Sequence, residues 1–383
     1  MKLYKLLAAT NRERFAPAVV SMKNRGELRE RIEALGIPVY TLGIRGPLPG
    51  LFSIIRLIRI VRQFQPELIH GWMYHGNLAA QVAAAFVKQK VSVLWSIHQS
   101  LYGFEYEKSL TAAIIKLCAR ISRLPEQIIY ISNTSATQHE RFGYNKDKRL
   151  VLYYGFDTQR FAPSKEARCS LRSELGLAQD SLLVGLIGRY HPVKDHSNFL
   201  KAAALLSRSQ PHVRFVLCGK GIDWDNKLLS ELVNELQLAA RVHLLGERHD
   251  MPRIMAALDI AASSSFSEGF PNVVGEAMSS GVPCVVTVVS DLPDIVGPTG
   301  RTVPPRNAAA LAAAIEELVA SGAERCGALG AMARTRIIEH YALDAAVAQY
   351  QGVYESALAL VRARTAKARP LSRAALKRLA RLG

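Results

Sequence analysis

Short apolar runs alternate with helical stretches along most of this 383-residue chain. In the first half, 29–35 reads as a helix and 38–42 as a short strand. The helical pattern of 51–64 ends near Pro66, and 68–70 follows as a buried strand. Residues 76–87 are Ala-rich and helical, 91–97 form a strand running into His98, and 127–131 form another that opens into Ser132 and Asn133. The second half repeats the pattern, with strands at 182–188, 213–218, 242–245, 259–262 and 282–286. Its helices fall at 199–207, 228–236, 251–258, 272–280, 308–320 and 332–340. Such alternation implies an α/β chain with parallel sheets covered by helices, and the length suits two domains. A polar stretch at 164–180 reads as the linker between them. Ligands of open parallel sheets bind at the carboxyl ends of strands. Two such halves facing each other would hold a site in the cleft between them.

Apolar residues make up 49% and charged residues 21%, the balance of a globular protein. The longest apolar stretches, such as 82–87, are too short to span a bilayer. The opening Met1-Lys2-Leu3-Tyr4-Lys5 lacks a signal-peptide core. Five scattered cysteines form no C-x-x-C pair, which points to a reducing compartment and away from a structural metal site. The net charge of +17 is unevenly spread. Residues 1–150 carry 22 Lys and Arg against 10 Asp and Glu, 151–360 carry 19 against 22, and 361–383 carry 8 against none. This asymmetry suits a polyanionic surface as partner, although a solvated Arg-rich surface fits it too.

Two segments bear on that choice. Residues 51–64 set Arg56, Arg59 and Arg62 beside Ile54, Ile55, Ile58 and Val61. This is an amphipathic helix with a cationic stripe, or an ordinary surface helix of an α/β domain. In the tail, Leu376, Leu379 and Leu382 lie opposite Arg373, Lys377 and Arg381 on a helical wheel, as in a helix lying on an anionic membrane. Neither segment interleaves aromatics with cations, which argues against a single-strand nucleic-acid platform and leaves binding through phosphate charge alone as an alternative; no nucleic-acid partner is expected.

Three loops of the second half carry the chemistry. In Gly188-Arg189-Tyr190-His191-Pro192-Val193-Lys194, two cations five residues apart flank a turn after a strand, where they suit a diphosphate. A surface loop with two unrelated charges fits the same residues. In Glu268-Gly269-Phe270-Pro271-Asn272, continuing to Glu276, Pro271 fits the first turn of a helix whose free N–H groups would face an anion. Glu268 is placed to accept from sugar hydroxyls or to cap that helix, and Glu276 to hold a ribose diol or to sit on a solvated face. Cys218-Gly219-Lys220-Gly221 is a glycine turn that could let a nucleotide approach.

Together these residues resemble the retaining glycosyltransferases of family four, which have the GT-B fold. Glu268 to Glu276 matches the family's E-x7-E signature. Gly188-Arg189 with Lys194 is similar to its phosphate loop, Tyr154-Gly155-Phe156-Asp157 to its connector, and Gly281-Val282-Pro283-Cys284-Val285-Val286 to its G-x-P-V-V strand. The resemblance implies two Rossmann-like domains, at 1–163 on the acceptor side and 164–340 on the nucleotide-sugar side. A helix at 341–360 would cross back to the first, and 361–383 would be a basic tail. It further implies a UDP- or GDP-sugar donor, a saccharide or lipid-linked saccharide acceptor, transfer with retention, and neither cofactor nor metal. Arg189 and Lys194 would stabilise the leaving diphosphate, Glu276 would bind the ribose, and Glu268 with backbone N–H groups near Phe270 and Asn272 would hold the sugar. His98 matches the family histidine beside the donor sugar, while His70 and His75 have acceptor-side or core roles. Family members start with a strand and a Gly-Gly loop, whereas this chain opens on what resembles the helix after that loop. The first domain is therefore expected to lack its first strand, through a misplaced start or a damaged copy. The expected role is cell-surface polysaccharide or lipopolysaccharide synthesis at the inner face of the plasma membrane. The rivals are a sugar-nucleotide epimerase of the same fold and an inactive binding protein.

Overall fold

A computed structural model describes residues 2–368 apart from 24–27, 45, 47–49 and 88. The chain forms two compact units, one of residues 1–130, 136–152 and 347 onward, the other of 131–135 and 153–346. The division thus falls at 152/153, ahead of the expected 163/164, and the chain returns at 347.

The first unit opens with α1 (Lys2–Ala9), β1 (Val19–Ser21), α2 (Leu28–Glu33), β2 (Val39–Thr41), α3 (Leu51–Phe64) and β3 (Leu68–Trp72). There follow α4 (Met73–Ala84), β4 (Ser92–Ile97), α5 (Ser109–Ile121), β5 (Gln127–Tyr130), α6 (Asn133–Arg141), whose first turn up to Ser135 belongs to the second unit, and β6 (Arg149–Val151). All pairings are parallel, in a four-stranded sheet ordered β3-β4-β5-β6 and a separate pair β1-β2. The first element is a helix, and β1 and β3 share no pairing among the described residues. Strand β4 is buried along its whole length, as a near-continuous apolar run in a parallel sheet should be. Trp95 and Ile97 on β4 pack with Ile115, Ile128 and Tyr130 in the core.

The second unit contains α7 (Lys165–Glu174), β7 (Leu182–Ile187), α8 (His196–Ser209), β8 (Val213–Cys218), α9 (Lys227–Glu235), β9 (Val242–Leu244), α10 (Met251–Ala257) and β10 (Ile260–Ser263). It continues with α11 (Asn272–Ser279), β11 (Cys284–Thr287), α12 (Leu292–Val296), β12 (Arg301–Val303), α13 (Ala308–Ala320) and α14 (Gly322–Tyr341). The last helix, α15 (Leu343–Ala368), starts here and belongs to the first unit from Val347. Of the basic tail, 369–383 lie outside the described residues.

The six parallel strands are ordered β12-β11-β10-β7-β8-β9. The chain winds outward from β7 through β8 and β9, then returns to place β10 on the other side of β7. That reversal is the topological switch point of a doubly wound sheet, where ligands bind.

The expected linker at 164–180 is corrected by α7. Ser164 caps that helix by accepting from the Ala167 N–H at 3.0 Å. Its polarity misleads because Arg172, fully buried, spends its charge internally. The guanidinium donates to the Asp259 carboxylate at 2.7 Å and to the carbonyls of Ser181, at 2.9 Å, and Ala257, at 2.9 Å.

Close packing fixes the start of α11. Phe156 stacks on Phe270 with centroids 5.6 Å apart, and a Cβ on Gly275 would meet the Phe156 ring at 2.1 Å. Gly275→Ala must displace that ring or the helix, so a cost of about 1–3 kcal/mol is expected. Chemical denaturation of the variant against the parent checks this, and an unchanged midpoint would refute it.

Candidate active site

The switch point sends out two loops side by side, one after β7 (188–195) and one after β10 (264–271). The first is fastened to the loop after β8. Gly188 N–H donates to the Cys218 carbonyl at 2.8 Å, and Tyr190 N–H to that of Lys220 at 2.8 Å. Gly219, at φ +151°, sits so close that a Cβ there would lie 2.2 Å from the Gly188 carbonyl oxygen. Its glycine is thus required by the crossing of two loops, a reason the sequence reading did not include.

The second loop is tied on both sides. The Ser264 hydroxyl donates to the carbonyls of Lys194 at 2.7 Å and Asp195 at 3.0 Å, and Phe266 N–H donates to that of Val193 at 3.0 Å. On the far side the Thr287 hydroxyl donates to the Ser265 carbonyl and the Ser290 hydroxyl to that of Gly269. Such ties hold functional groups in place before a ligand arrives, which is what electrostatic preorganisation requires.

These ties bring Lys194 and Glu268 together. The Lys194 ammonium is in direct ion-pair contact with Glu268 Oε1, which also accepts from the Ser265 hydroxyl at 2.7 Å. Both charged side chains are largely buried. The lysine stem runs over Gly188, where a Cβ would lie 3.6 Å from its Cδ. Glu268 is thus a partner of Lys194. An ammonium carries three donors, so one can serve Glu268 while the others face outward. Arg189 is not drawn into this pair. It is exposed and makes no ion pair among the described residues. Behind the loop, burial pushes the His196 imidazole down to about 4, so it adds no charge near neutral pH.

Helix α11 begins at Asn272, with Pro271 at the cap position rather than in the first turn, where its side chain makes no cap hydrogen bond. Its first N–H groups carry the positive end of the helix dipole. Phe270 is buried against Phe156, so only its backbone is suited to meet a ligand. Glu276 lies on the half-buried edge of α11, whose other side buries Val274, Gly275, Ala277 and Met278.

In the first unit, His98 follows β4 and stacks on Trp72, with centroids 4.4 Å apart and planes at 28°. Its N–H donates to the Met73 sulfur at 3.2 Å. Met73 has φ +61°, a left-handed conformation that costs a side-chain-bearing residue energy and recurs at functional sites. His70 is half-buried. Its Nδ1 lies 2.9 Å from the Tyr354 hydroxyl and its Nε2 contacts the Ser96 hydroxyl, with the rings of Trp72, Tyr350 and Tyr354 around it. Desolvation pushes its pKa down to about 3. Because that lies below the unfolded value of about 6.5, the stabilisation is complete above pH ~6.5 and is lost as pH falls toward 3. Thermal melts at pH 7 and 5 are expected to show this loss, with a smaller loss in His70→Gln. His75 is half-buried on α4.

The sequence reading missed Ser264, Ser265, Trp72 and Asp291. A run of small hydroxyl residues leaving a strand was the available signal for the two serines. Asp291, only 2% exposed, accepts from the N–H groups of Asn133 at 2.6 Å and Thr134 at 2.9 Å, the first turn of α6. The Tyr153 hydroxyl also donates to it at 3.1 Å. No local pattern links residues so distant in sequence. Among the described residues, no group of three or more His, Cys, Asp or Glu is placed to hold a metal ion.

Comparison with known proteins agrees with this fold. Residues 181–321 match the family described as "Glycosyl transferases group 1", and residues 3–160 match "Glycosyltransferase Family 4". An Escherichia coli UDP-Gal:alpha-D-GlcNAc-diphosphoundecaprenol alpha-1,3-galactosyltransferase is 23% identical over 278 residues, covering 69% of this chain and 68% of the relative. A D-inositol 3-phosphate glycosyltransferase of Mycobacterium marinum is 34% identical over 216 residues, covering 52% of this chain and 44% of the relative. The crystal structure of Anabaena HepE with UDP superposes with a TM-score of 0.81 at 22% identity, covering 93% of this chain and 96% of that one. The fold is therefore the two-domain GT-B fold. Two glycosyltransferase family regions thus follow one another along the chain, 3–160 and then 181–321.

Proposed function

We propose that this chain transfers a glycosyl group from a UDP- or GDP-sugar to a lipid-linked saccharide or oligosaccharide. Transfer proceeds with retention and without a metal, in building cell-surface polysaccharide or lipopolysaccharide at the inner face of the plasma membrane. The observation that carries the reading is the buried Lys194–Glu268 pair at the switch point, beside the start of α11 and ahead of Glu276. HepE, of the same fold, was solved with UDP and with UDP-glucose, and the E. coli relative is named for a diphosphoundecaprenol-linked acceptor.

The chemistry follows from charge placement. As the sugar leaves, negative charge builds on the diphosphate. Lys194, held in position by Glu268, supplies compensating positive charge without first reorganising, and the exposed Arg189 adds a second cation. Glu276 accepts from ribose hydroxyls, and Glu268 from sugar hydroxyls. His98 offers an imidazole fixed in orientation by Trp72.

Incubation with nucleotide sugars and a lipid-linked saccharide, followed by proton NMR of the product, tests this. The expected product carries a new glycosidic bond with the donor's anomeric configuration, and yield is unaffected by EDTA. An inverted linkage, EDTA-sensitive turnover, or a free epimerised sugar would contradict it.

A further inference from the structure

Among the described residues of the second unit, four other than glycine have a positive φ: Asp195 (+49°), Gln237 (+55°), Ser290 (+52°) and Arg306 (+58°). A side chain makes this conformation costly, whereas a glycine adopts it freely. Gln237 follows α9 and precedes β9, at the amino end of the strands. The other three follow β7, β11 and β12 at the carboxyl end. Each of these three touches the loop after β10. The Asp195 carbonyl accepts from the Ser264 hydroxyl at 3.0 Å, and the Ser290 hydroxyl donates to the Gly269 carbonyl at 2.9 Å. The Arg306 guanidinium lies 4.2 Å over the Phe266 ring. Asp195 also caps α8 by accepting from the Asn198 N–H, so its conformation has a structural reason. Ser290 and Arg306 stand one residue before the cap positions of α12 and α13, where a glycine would turn the chain as well.

What a glycine would lack is the reach into that loop. Gly269 follows Glu268, and the Phe266 N–H donates to the carbonyl of Val193, which precedes Lys194. The two strained residues thus act one residue away from each member of the Lys194–Glu268 pair. Asp291, next to Ser290, is anchored by the N–H groups of Asn133 and Thr134, so the chain on that side is held. Strained backbone persists where its surroundings hold it, and it clusters at functional sites. We propose that Ser290 and Arg306 are positioning residues, kept in left-handed conformations so that their side chains clamp the loop after β10 and aim the Lys194–Glu268 pair at the donor diphosphate. The purpose of the clamp rests on the proposed glycosyl transfer, while the clamp itself is a property of the protein without ligand.

Amide hydrogen exchange and transfer kinetics of the full chain test it, on Ser290→Gly, Arg306→Gly and the control Gln237→Gly. Glycine releases strain at all three positions, which offsets the lost contacts and the added chain entropy, so each denaturation midpoint should stay near that of the parent. The Phe266 N–H should exchange about two- to fivefold faster in Arg306→Gly, the effect of losing an exposed cation–π contact. Ser290→Gly should speed it similarly through the lost hydrogen bond, and Gln237→Gly should leave it unchanged. In the two loop variants kcat should fall about tenfold with little change in KM for the nucleotide sugar, because aim matters most in the transition state. In Gln237→Gly both should match the parent. Phe266→Leu should reproduce Arg306→Gly, and combining the two should add nothing. The proposal is overturned if Phe266 exchange is unchanged in Ser290→Gly and Arg306→Gly, or if Gln237→Gly speeds it equally. It is also overturned if kcat holds at the parent value, if kcat falls only in step with global stability, or if the Phe266→Leu and Arg306→Gly effects add. A parent that transfers no sugar counts against the proposed function, and the exchange rates then decide the clamp by themselves.

Discussion

Lys194→Met is expected to lower kcat/KM for glycosyl transfer by about 10²–10³-fold, the usual effect of removing one preorganised donor from developing negative charge. The ion pair with Glu268 adds a complication that a solvent-facing lysine would lack. Removing the lysine leaves a carboxylate, largely buried, with the Ser265 hydroxyl but without its cation. Taking the cation from a largely buried ion pair destabilises the fold. Lys194→Met should therefore lose thermal stability as well as activity, and Lys194→Met/Glu268→Gln should regain most of the stability and none of the activity. Lys194→Arg is a poor substitute, because a planar guanidinium does not fit a contact shaped for a compact ammonium. Steady-state kinetics and melting curves for the three variants check this. A double variant that regains transfer would show that Lys194 merely neutralises Glu268.

Asp259→Ala is expected to cost about 3–5 kcal/mol, the range for removing one partner of a buried ion pair. Asp259 contacts Arg168 through Oδ1 and, through Oδ2, accepts from Arg172 at 2.7 Å and from the Leu183 N–H at 2.8 Å. Its loss strands the guanidinium of Arg172 inside the second unit, along with the N–H that opens β7. For a unit of this size the melting temperature should fall by about 10 °C. Asp259→Asn keeps acceptors but no charge, and should fall between the two. Urea unfolding followed by circular dichroism measures the difference, and a loss under 1 kcal/mol would show that the cluster is solvated in practice.

The α/β alternation was legible because parallel strands buried on both faces read as apolar runs, and β4, β7 and β8 lie where those runs are. The polar stretch 164–180 was misread for a physical reason. Local composition cannot show that Arg172 finds Asp259, so a helix anchored by a buried ion pair reads as a linker. At the site, the residue types and their spacing pointed to Arg189, Lys194, Glu268 and Glu276. Spacing did not reveal that Glu268 holds Lys194, since that contact joins two loops brought side by side by the crossover at β7 and β10. Gly219 was singled out for ligand approach, while the structure explains it by the approach of another backbone. Asp291 escaped notice because its partners in α6 are more than 150 residues away. On α3 the helix and its arginines were legible, but only burial separates the inward Leu57, Ile60 and Val61 from the outward Leu51 and Phe52.

The central claim is that loops at the switch point of the second unit bind a nucleoside diphosphate, with Glu276 on the ribose and Lys194 on the phosphates. Calorimetric titration of the intact chain with UDP and GDP tests it most directly, repeated on Glu276→Ala and Lys194→Met. The account expects one nucleotide to bind selectively and each variant to bind at least about tenfold more weakly, since a hydrogen bond to a charged group contributes roughly 1.5–3 kcal/mol. Absence of binding by the folded parent, or affinity unchanged in both variants, would contradict it.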